Sequence, residues 1–345
     1  MKAIDLTIGS LKKGKTNTIT DVEGVKVGHT TIRQNEVQTG VTAVLPHSQN
    51  LFQNKVAGAI YTINGFGKTA GSIQLEELGT IETPIVLTNT LAVGAGLQGI
   101  IEYTLSQNPD IGRTTGTVNA IVGECNDMLI NDIRSISVTK EHVINAIESA
   151  SYQFEQGAVG AGTGMVCFGL KGGIGSSSRI ITLGNRNFTI GTLVLTNFGR
   201  LEHLTIAGKN VGYQLKEKLQ NPPVHEDDKG SIIIIVATDL PLNERQLKRV
   251  LKRTSVGLAK TGSYIGHGSG DIALGFTTAH KIAHEDPAIF SSQETLQDHA
   301  LDLVFEATAD ATEEAILQSM LAADTTNSRN NQKIYSLRSF IHDIL

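Results

Sequence analysis

The sequence predicts a layered fold that mixes helices and strands, of the α/β or α+β class. Two observations predict it. Short runs rich in β-branched residues are typical of buried strands, and apolar residues at helical spacing recur before and after them. Glycine-rich connections join these segments, as expected where strands and helices pack in layers.

Four segments have the composition of strands. Residues 84–90 (PIVLTNT) and 192–197 (TLVLTN) combine β-branched residues with a polar end. Residues 231–239 (SIIIIVATD) hold an apolar run without polar alternation, so this strand is expected to be buried on both faces. Residues 272–276 (IALGF) are a fourth candidate. The polar segment 221–230, with two prolines, precedes the third strand and is expected to be an exposed loop.

Three helices are predicted from spacing and capping residues. The first begins at Asn243, a suitable N-cap, with Gln246 completing a capping box, and continues to Gly262. A second helix is indicated over residues 301–320 and a third over 143–150. Helices are therefore expected in both halves of the chain.

Composition restricts the class of protein. Of the 345 residues, 40% are hydrophobic and 18% charged, which is typical of a folded protein. The net charge is −5 and the basic residues are scattered, so no nucleic-acid-binding surface is indicated. The apolar runs are far shorter than the ~18 residues of a membrane span, and the N-terminus lacks the features of a secretory signal. We therefore expect a cytoplasmic protein with neither a membrane nor a nucleic-acid partner.

Two short motifs give weak signals for nucleotide binding. Gly94, Gly96 and Gly99 match the G-x-G-x-x-G pattern of dinucleotide sites, but no acidic residue follows at the distance that such sites require. Residues 67–69 (GKT) resemble the end of a phosphate-binding loop, yet the first glycine of that motif is replaced by Thr62. Neither motif supports a nucleotide site.

Metal and anion binding are also weakly indicated. Cys125 and Cys167 lie far apart without a partner motif, so we expect small buried residues and neither a disulfide framework nor a multi-cysteine metal site. His280 and His284 could share a helical face, but the glutamate of the H-E-x-x-H motif is absent, which favours a pair of surface histidines. The glycine-rich segment 157–175 fits either a tight hairpin in the core or an anion-binding loop.

The strongest chemical candidate is the pair Gly230 and Ser231. A serine that begins a buried strand, after a glycine that ends an exposed loop, has the arrangement of a self-cleaving N-terminal nucleophile. Its hydroxyl would attack the preceding carbonyl carbon, and the freed α-amine, with an ordinary pKa of ~7.7 to 8.0, could then act as a general base. From the residues alone, a simple turn before a strand is the favoured interpretation, because Gly-Ser is a common turn ending.

At this point the sequence resembles the L-aminopeptidase/D-esterase family, which includes the β-peptidyl aminopeptidases and is self-processed. Motifs in the family's order extend over most of the chain. They are residues 19–30 (ITDVEGVKVGHT), 83–90 (TPIVLTNT), 122–127 (VGECND), 157–164 (GAVGAGTG), 230–242 (GSIIIIVATDLPL) and 311–315 (ATEEA).

The resemblance implies a specific fold and a specific processing event. The fold would be a four-layer αββα sandwich, similar to N-terminal nucleophile hydrolases and ornithine acetyltransferases. Cleavage between Gly230 and Ser231 would divide a single domain, residues 1–345, into an α chain 1–230 and a β chain 231–345. The family also implies a homo-oligomer of αβ units and no cofactor or metal.

The resemblance also implies roles for individual residues. Ser231 would be the nucleophile both of self-cleavage and of catalysis, and Ser269 and Asp271 would form a relay that orients it. Asn197 would donate a hydrogen bond to the oxyanion, and Glu124 would receive the free ammonium group of the substrate.

The predicted function is a self-processed aminopeptidase that releases N-terminal residues from short peptides, amino acid amides or esters through an acyl-enzyme. Two alternatives are an acyltransferase, in which an amine replaces water as acceptor, and a non-catalytic member of the fold. The loops at 65–68 and 125–128 are expected to shape the substrate pocket.

Overall fold

The computed structural model describes residues 6–219 and 230–344. The helices are α1 (Ser72–Leu78), α2 (Val93–Gln107), α3 (Lys140–Glu148), α4 (Gly212–Lys218), α5 (Glu244–Leu251), α6 (Thr254–Lys260), α7 (Leu301–Ala322) and α8 (Ile341–Ile344).

The first eight strands are β1 (Lys26–Gln34), β2 (Val37–Leu45), β3 (Asn54–Gly65), β4 (Thr80–Ile81), β5 (Ile85–Asn89), β6 (Ile121–Cys125), β7 (Val166–Cys167) and β8 (Leu170–Lys171). The later strands are β9 (Gly173–Leu183), β10 (Arg186–Asn197), β11 (Thr205–Ile206), β12 (Lys209–Asn210), β13 (Ser231–Thr238), β14 (Gly270–Ala283), β15 (Thr326–Asn327) and β16 (Lys333–Ile334).

Two large sheets form the centre of the described structure. One has the strand order β1-β2-β5-β6, and the other has the order β4-β3-β14-β13-β10-β9. Strand β13 lies in the interior of the larger sheet, where it pairs with β14 in parallel and with β10 in antiparallel orientation. Strands that precede residue 220 and strands that follow residue 229 therefore share one sheet.

All eight residues of β13 are buried, which confirms the expectation of burial on both faces. Ile232 and Ile234 belong to a cluster that includes apolar residues of α5, α6 and α7. Ile233 and Ile235 belong to a second cluster, with residues of β5 and β6 from the smaller sheet. Because successive side chains of a strand point to opposite faces, β13 contacts a helical layer on one side and the other sheet on its second side.

The remaining face of the smaller sheet is covered by α2 and α3. Gly99 of α2 permits their close approach, because a Cβ atom there would lie 2.5 Å from Cβ of Val143 in α3. The layers thus follow the order helix, sheet, sheet, helix, as the four-layer prediction requires. Among the described residues, no helix has both the length and the apolar character needed to cross a membrane.

The four predicted strand segments are found in β5, β10, β13 and β14. Two of the predicted helices are found in α3 and α7. The helix expected between Asn243 and Gly262 is wrong in one respect, because it is divided into α5 and α6. At the junction the N–H of Arg253 donates to Val250 O at 2.8 Å, a tighter turn than that of an α-helix, and the Thr254 hydroxyl donates to Leu251 O.

Several local expectations are also resolved. The Asn243 capping box is present, with reciprocal bonds to Gln246 of 3.0 and 3.2 Å. A short hairpin, β7 and β8, lies within the glycine-rich segment. The helical placement of His280 and His284 is wrong, because β14 contains His280 and ends one residue before His284. Apart from Gly230, the expected loop at 221–230 lies outside the described residues.

Candidate active site

Three strand ends of the larger sheet meet at the first residue of β13. Ser231 pairs with Asn197, the last residue of β10, and with Gly270, the first residue of β14. The strand register therefore brings the predicted nucleophile, the predicted oxyanion donor and the segment around Ser269 to one point.

Ser231 is mostly buried, with 8% of its surface exposed. Its hydroxyl donates to the carbonyl oxygen of Gly230 at 2.8 Å. The backbone N–H of Gly270 donates to that same carbonyl oxygen at 3.1 Å and to Ser231 Oγ at 3.3 Å. The serine thus lies against the peptide bond that it would cleave, with a backbone donor on the oxygen of that bond.

Gly230 is closely confined at this point. A Cβ atom on it would lie 2.3 Å from the carbonyl oxygen of Asn197 and 2.4 Å from Cα of Phe198. Both are backbone atoms of the end of β10 and its continuation, which cannot move away as a flexible side chain could. Only glycine lets the chain before Ser231 run this close to β10.

Ser269 and Asp271 form the hydroxyl–carboxylate pair that the sequence predicts. Ser269 Oγ donates to Asp271 Oδ1 at 2.6 Å, and both residues are buried. The side-chain amide of Asn64 donates to the carbonyl oxygens of Gly266 and Ser269, which fixes the loop before β14. Gly270, between these two residues, pairs with Ser231 across β13 and β14, which places the hydroxyl–carboxylate pair beside the predicted nucleophile.

The side chain of Asn197 is held at both ends of its amide group. Its Oδ1 accepts from the N–H of Val166 at 3.0 Å, and its Nδ2 donates to the carbonyl oxygen of Asn126 at 2.8 Å. The amide nitrogen carries two hydrogens, so one N–H is used by Asn126 and one more can serve an oxyanion.

Glu124 is a buried carboxylate on β6, with 2% of its surface exposed, and is therefore not a solvated surface charge. Its Oε1 accepts from the backbone N–H of Lys68 at 2.8 Å, and its Oε2 accepts from the hydroxyl of Thr90. Gly67, one residue before Lys68, lies against Gly270, since a Cβ on Gly270 would be 2.8 Å from Gly67 N. The carboxylate and the nucleophile are therefore linked through this loop.

Cys125, next to Glu124, is not suited to nucleophilic chemistry. Its thiol is fully buried, and burial raises its pKa well above the ordinary value, with the negative charges of Glu124 and Asp271 adding to the effect. Cys167 is also buried and free, as expected from the sequence.

Sequence reasoning missed the backbone groups of the site. These are the N–H groups of Gly270, Lys68 and Val166 and the carbonyl of Asn126. A backbone donor leaves no residue-type signal, so only the loops at 65–68 and 125–128, predicted to shape the pocket, pointed to two of them. Both loops do contribute contacts here.

Comparison with known proteins identifies the family. Residues 17–334 match the sequence model of peptidase family S58. The chain belongs to peptidase family S58. This S58 peptidase is 36% identical over 348 residues to the β-peptidyl aminopeptidase BapA of Sphingosinicella microcystinivorans, with 94% of this chain and 86% of that protein covered.

Solved structures agree with the family. The PH0078 protein of Pyrococcus horikoshii OT3 superposes with a TM-score of 0.93 at 50% identity, covering 98% of this chain and 96% of its own. The L-aminopeptidase D-Ala-esterase/amidase of Ochrobactrum anthropi superposes with a TM-score of 0.88 at 33% identity, covering 98% and 95%. It is described as a prototype of the serine aminopeptidases and a variant of the Ntn-hydrolase fold.

These findings confirm several predictions made from the sequence. The family resemblance is correct, and the α+β fold is of the Ntn-hydrolase type. This S58 peptidase is an enzyme, a serine-type aminopeptidase.

Proposed function

We propose that this S58 peptidase cleaves its own chain between Gly230 and Ser231 and then uses Ser231 to release N-terminal residues from short peptides, amides or esters. One observation carries the proposal. Ser231 Oγ lies 2.8 Å from the carbonyl oxygen of the preceding residue, and the Gly270 N–H donates to that same oxygen at 3.1 Å. Nucleophile, scissile bond and oxyanion donor are thus adjacent.

In self-cleavage, Ser231 Oγ attacks the carbonyl carbon of Gly230 and the carbonyl oxygen becomes an oxyanion. The Gly270 N–H stabilises this negative charge. The C–N bond then breaks, the hydroxyl proton passes to the departing nitrogen, and an ester joins Gly230 to Ser231 Oγ. Water hydrolyses the ester, which leaves a carboxyl group on Gly230 and a free amine on Ser231. The products are an α chain 1–230 and a β chain 231–345 of one domain.

In catalysis, the new α-amine accepts the proton of Ser231 Oγ as the hydroxyl attacks the acyl carbon of the substrate. The second N–H of the Asn197 amide and the Gly270 N–H donate to the oxyanion. The leaving amine or alcohol takes up the proton, and water then hydrolyses the acyl-enzyme. The buried Ser269–Asp271 pair places a negative charge near the amine, which favours its protonated form in the transition state.

Glu124 gives this reaction its preference for a free N-terminus. Within residues 6–219 and 230–344, no lysine or arginine side chain forms an ion pair with this buried carboxylate; such burial is costly, and a substrate ammonium group would supply a positive charge. The described hydrogen bonds to Glu124 come from two neutral donors, the Lys68 backbone and the Thr90 hydroxyl.

The names of the relatives support the substrate class. BapA is a β-peptidyl aminopeptidase, and the Ochrobactrum anthropi protein is an L-aminopeptidase and D-Ala-esterase/amidase. Short peptides and amino acid amides or esters are therefore proposed here. Assembly of αβ units, a cytoplasmic location and the lack of nucleic-acid and membrane partners stay predictions.

The proposal is tested by mass spectrometry of the purified protein. Wild type is expected to give two fragments, one beginning with Ser231, and to hydrolyse aminoacyl p-nitroanilides. Ser231→Ala is expected to remain a single chain without amidase activity. A wild-type protein that stays intact yet hydrolyses amides would contradict the role of Ser231. Product analysis with an added amine distinguishes hydrolysis from acyl transfer.

A further inference from the structure

Two buried charged residues lie behind the groups that hold Asn197. Lys171 of β8 has no exposed surface, and its Nζ donates to the carbonyl oxygens of Gly162, Met165 and Gly172 at 3.0, 2.8 and 2.9 Å. An ammonium group has three N–H donors, so these carbonyls match it completely. Burial lowers the pKa of Lys171 to about 7.

Lys171 fixes the backbone that faces the oxygen end of the Asn197 amide. Met165, one of its three acceptors, directly precedes Val166, whose N–H donates to Asn197 Oδ1 at 3.0 Å. The Gly172 N–H also donates to Met165 O at 3.0 Å, so the two sides of this turn are held together. The position of the Val166 N–H therefore depends on the lysine.

Asp127 fixes the backbone that faces the nitrogen end. It is fully buried, and its carboxylate accepts from Thr39 Oγ1 at 2.6 Å and from Asn131 Nδ2 at 3.0 Å. It directly follows Asn126, whose carbonyl oxygen accepts from Asn197 Nδ2 at 2.8 Å. Burial raises the pKa of Asp127 to about 6, and Lys171 acts against this increase through its positive charge.

The two backbone groups allow only one orientation of the Asn197 amide. If the amide were turned over, its N–H₂ would face the Val166 N–H and its oxygen would face the Asn126 carbonyl. A donor would then face a donor at one end, and an acceptor would face an acceptor at the other. All four groups would lose their hydrogen-bond partners. In the observed orientation the amide nitrogen lies on the side of Asn126. Its second hydrogen is then available to an oxyanion.

We propose that Lys171 and Asp127 are positioning residues that fix the orientation of the Asn197 amide from opposite ends. This inference rests on the oxyanion role of Asn197 proposed above. A 1 Å misplacement at an active site can cost ~10²-fold in rate, so losing either anchor is expected to lower kcat without removing substrate binding.

The test is a double-mutant cycle of Lys171→Met with Asn197→Ala on an aminoacyl p-nitroanilide. The concentration of active sites with a freed Ser231 is measured with a serine-directed reagent, and kcat is calculated per active site. Uncleaved molecules then do not lower the measured kcat. Lys171→Met is expected to lower kcat by about 10- to 100-fold with KM within about twofold of wild type. In the Asn197→Ala background, the same change is expected to lower kcat no further.

The matched control is Arg179→Met, which removes another fully buried cation. Arg179 pairs with Glu314, which also has Lys13 as a partner at 2.9 Å, and it lies far along β9 from Asn197. This variant is expected to lose stability while keeping kcat. An equal fall of kcat in the control would overturn the positioning role, because general destabilisation would then explain both.

The remaining outcomes separate the two proposals. If Asn197→Ala leaves kcat unchanged, the oxyanion role fails and the positioning role fails with it. If Asn197→Ala lowers kcat but Lys171→Met does not, or if the two effects are additive, only the positioning role fails. Should Lys171→Met not fold, Asp127→Asn, which is nearly isosteric, takes its place in the same cycle with the same criteria.

Discussion

The contact between Gly270 and the Gly67 loop provides a direct test of the site. In Gly270→Ala, the new Cβ atom would lie 2.8 Å from Gly67 N, 2.9 Å from Gly67 Cα and 3.1 Å from Ser231 Oγ. Ordinary van der Waals contact requires the two Gly67 atoms to withdraw by about 0.5 Å or more. Because the nearest atoms are backbone, β14 and the loop must move apart.

The magnitude follows from the hydrogen bond that this movement breaks. The Gly270 N–H donates to Gly230 O at 3.1 Å. Where β14 yields by about 0.5 Å along this bond, the distance becomes about 3.6 Å, which is beyond the range of a hydrogen bond. Loss of one oxyanion donor costs ~3 to 4 kcal/mol, or about 10²- to 10³-fold in rate, whereas the overpacking itself costs ~1 to 3 kcal/mol of stability. Gly270→Ala is therefore expected to fold and to cleave itself slowly.

The assay is a time course after synthesis, followed by denaturing gel and intact mass. Gly275→Ala is the control, since it lies on the same strand and its Cβ would be 2.7 Å from the end of the Leu251 side chain. It is expected to lose similar stability and to cleave at the wild-type rate. A folded Gly270→Ala that cleaves as fast as wild type, or a Gly275→Ala that is equally slow, would refute the reasoning.

Three further predictions concern separate groups. Glu124→Gln is expected to raise KM for substrates with a free amine by at least about 10-fold. Self-cleavage is expected to continue, because Gly230 carries no ammonium group. Kinetics and denaturing gels on the same preparation check both outcomes. Asp271→Asn removes the charge that accepts from Ser269 and is expected to lower kcat by about 10- to 100-fold with an unchanged melting temperature. Burial lowers the pKa of His29 to about 4. Between pH ~6.5 and ~4 this side chain is therefore protonated in the unfolded chain but neutral in the folded one, and the free energy of unfolding of wild type is expected to fall by up to about 3 kcal/mol across that range. Denaturant titrations at several pH values are expected to show that His29→Gln loses less unfolding free energy than wild type as the pH falls. An equal loss in both proteins would contradict the low pKa of His29.

Much of the central sheet could be predicted from local sequence. The run after Ser231 is so uniformly β-branched that burial on both faces was the only consistent interpretation, and β13 has that burial. β1 (Lys26–Gln34) has no such signal, because charged and polar residues interrupt it, and its pairing with β2 supplies what its composition does not. The break between α5 and α6 was also invisible, since the apolar spacing continues across it.

Part of the site could likewise be predicted from the sequence and part could not. Side chains of recognisable type, such as Ser231, Asn197 and Glu124, could be chosen from the sequence and are brought near one another. The orientation of Asn197 could not, because it depends on backbone groups of two distant loops. Lys171 stood unnoticed in a glycine-rich segment, since nothing in the sequence indicates that a lysine has three buried carbonyl partners.

The interior position of β13 determines how the two fragments would behave after cleavage. Strands β13 and β14 both belong to the β chain, and they pair with β10 and β3 of the α chain, one on each side. The fragments cannot part without opening both of these ladders, so they are expected to separate only when the whole sheet unfolds. Refolding then becomes an encounter between two molecules. The thermal midpoint of the cleaved enzyme is expected to rise with protein concentration, whereas that of the uncleaved Ser231→Ala chain is expected to be independent of it. A single peptide bond would thus convert a unimolecular folding reaction into an assembly reaction.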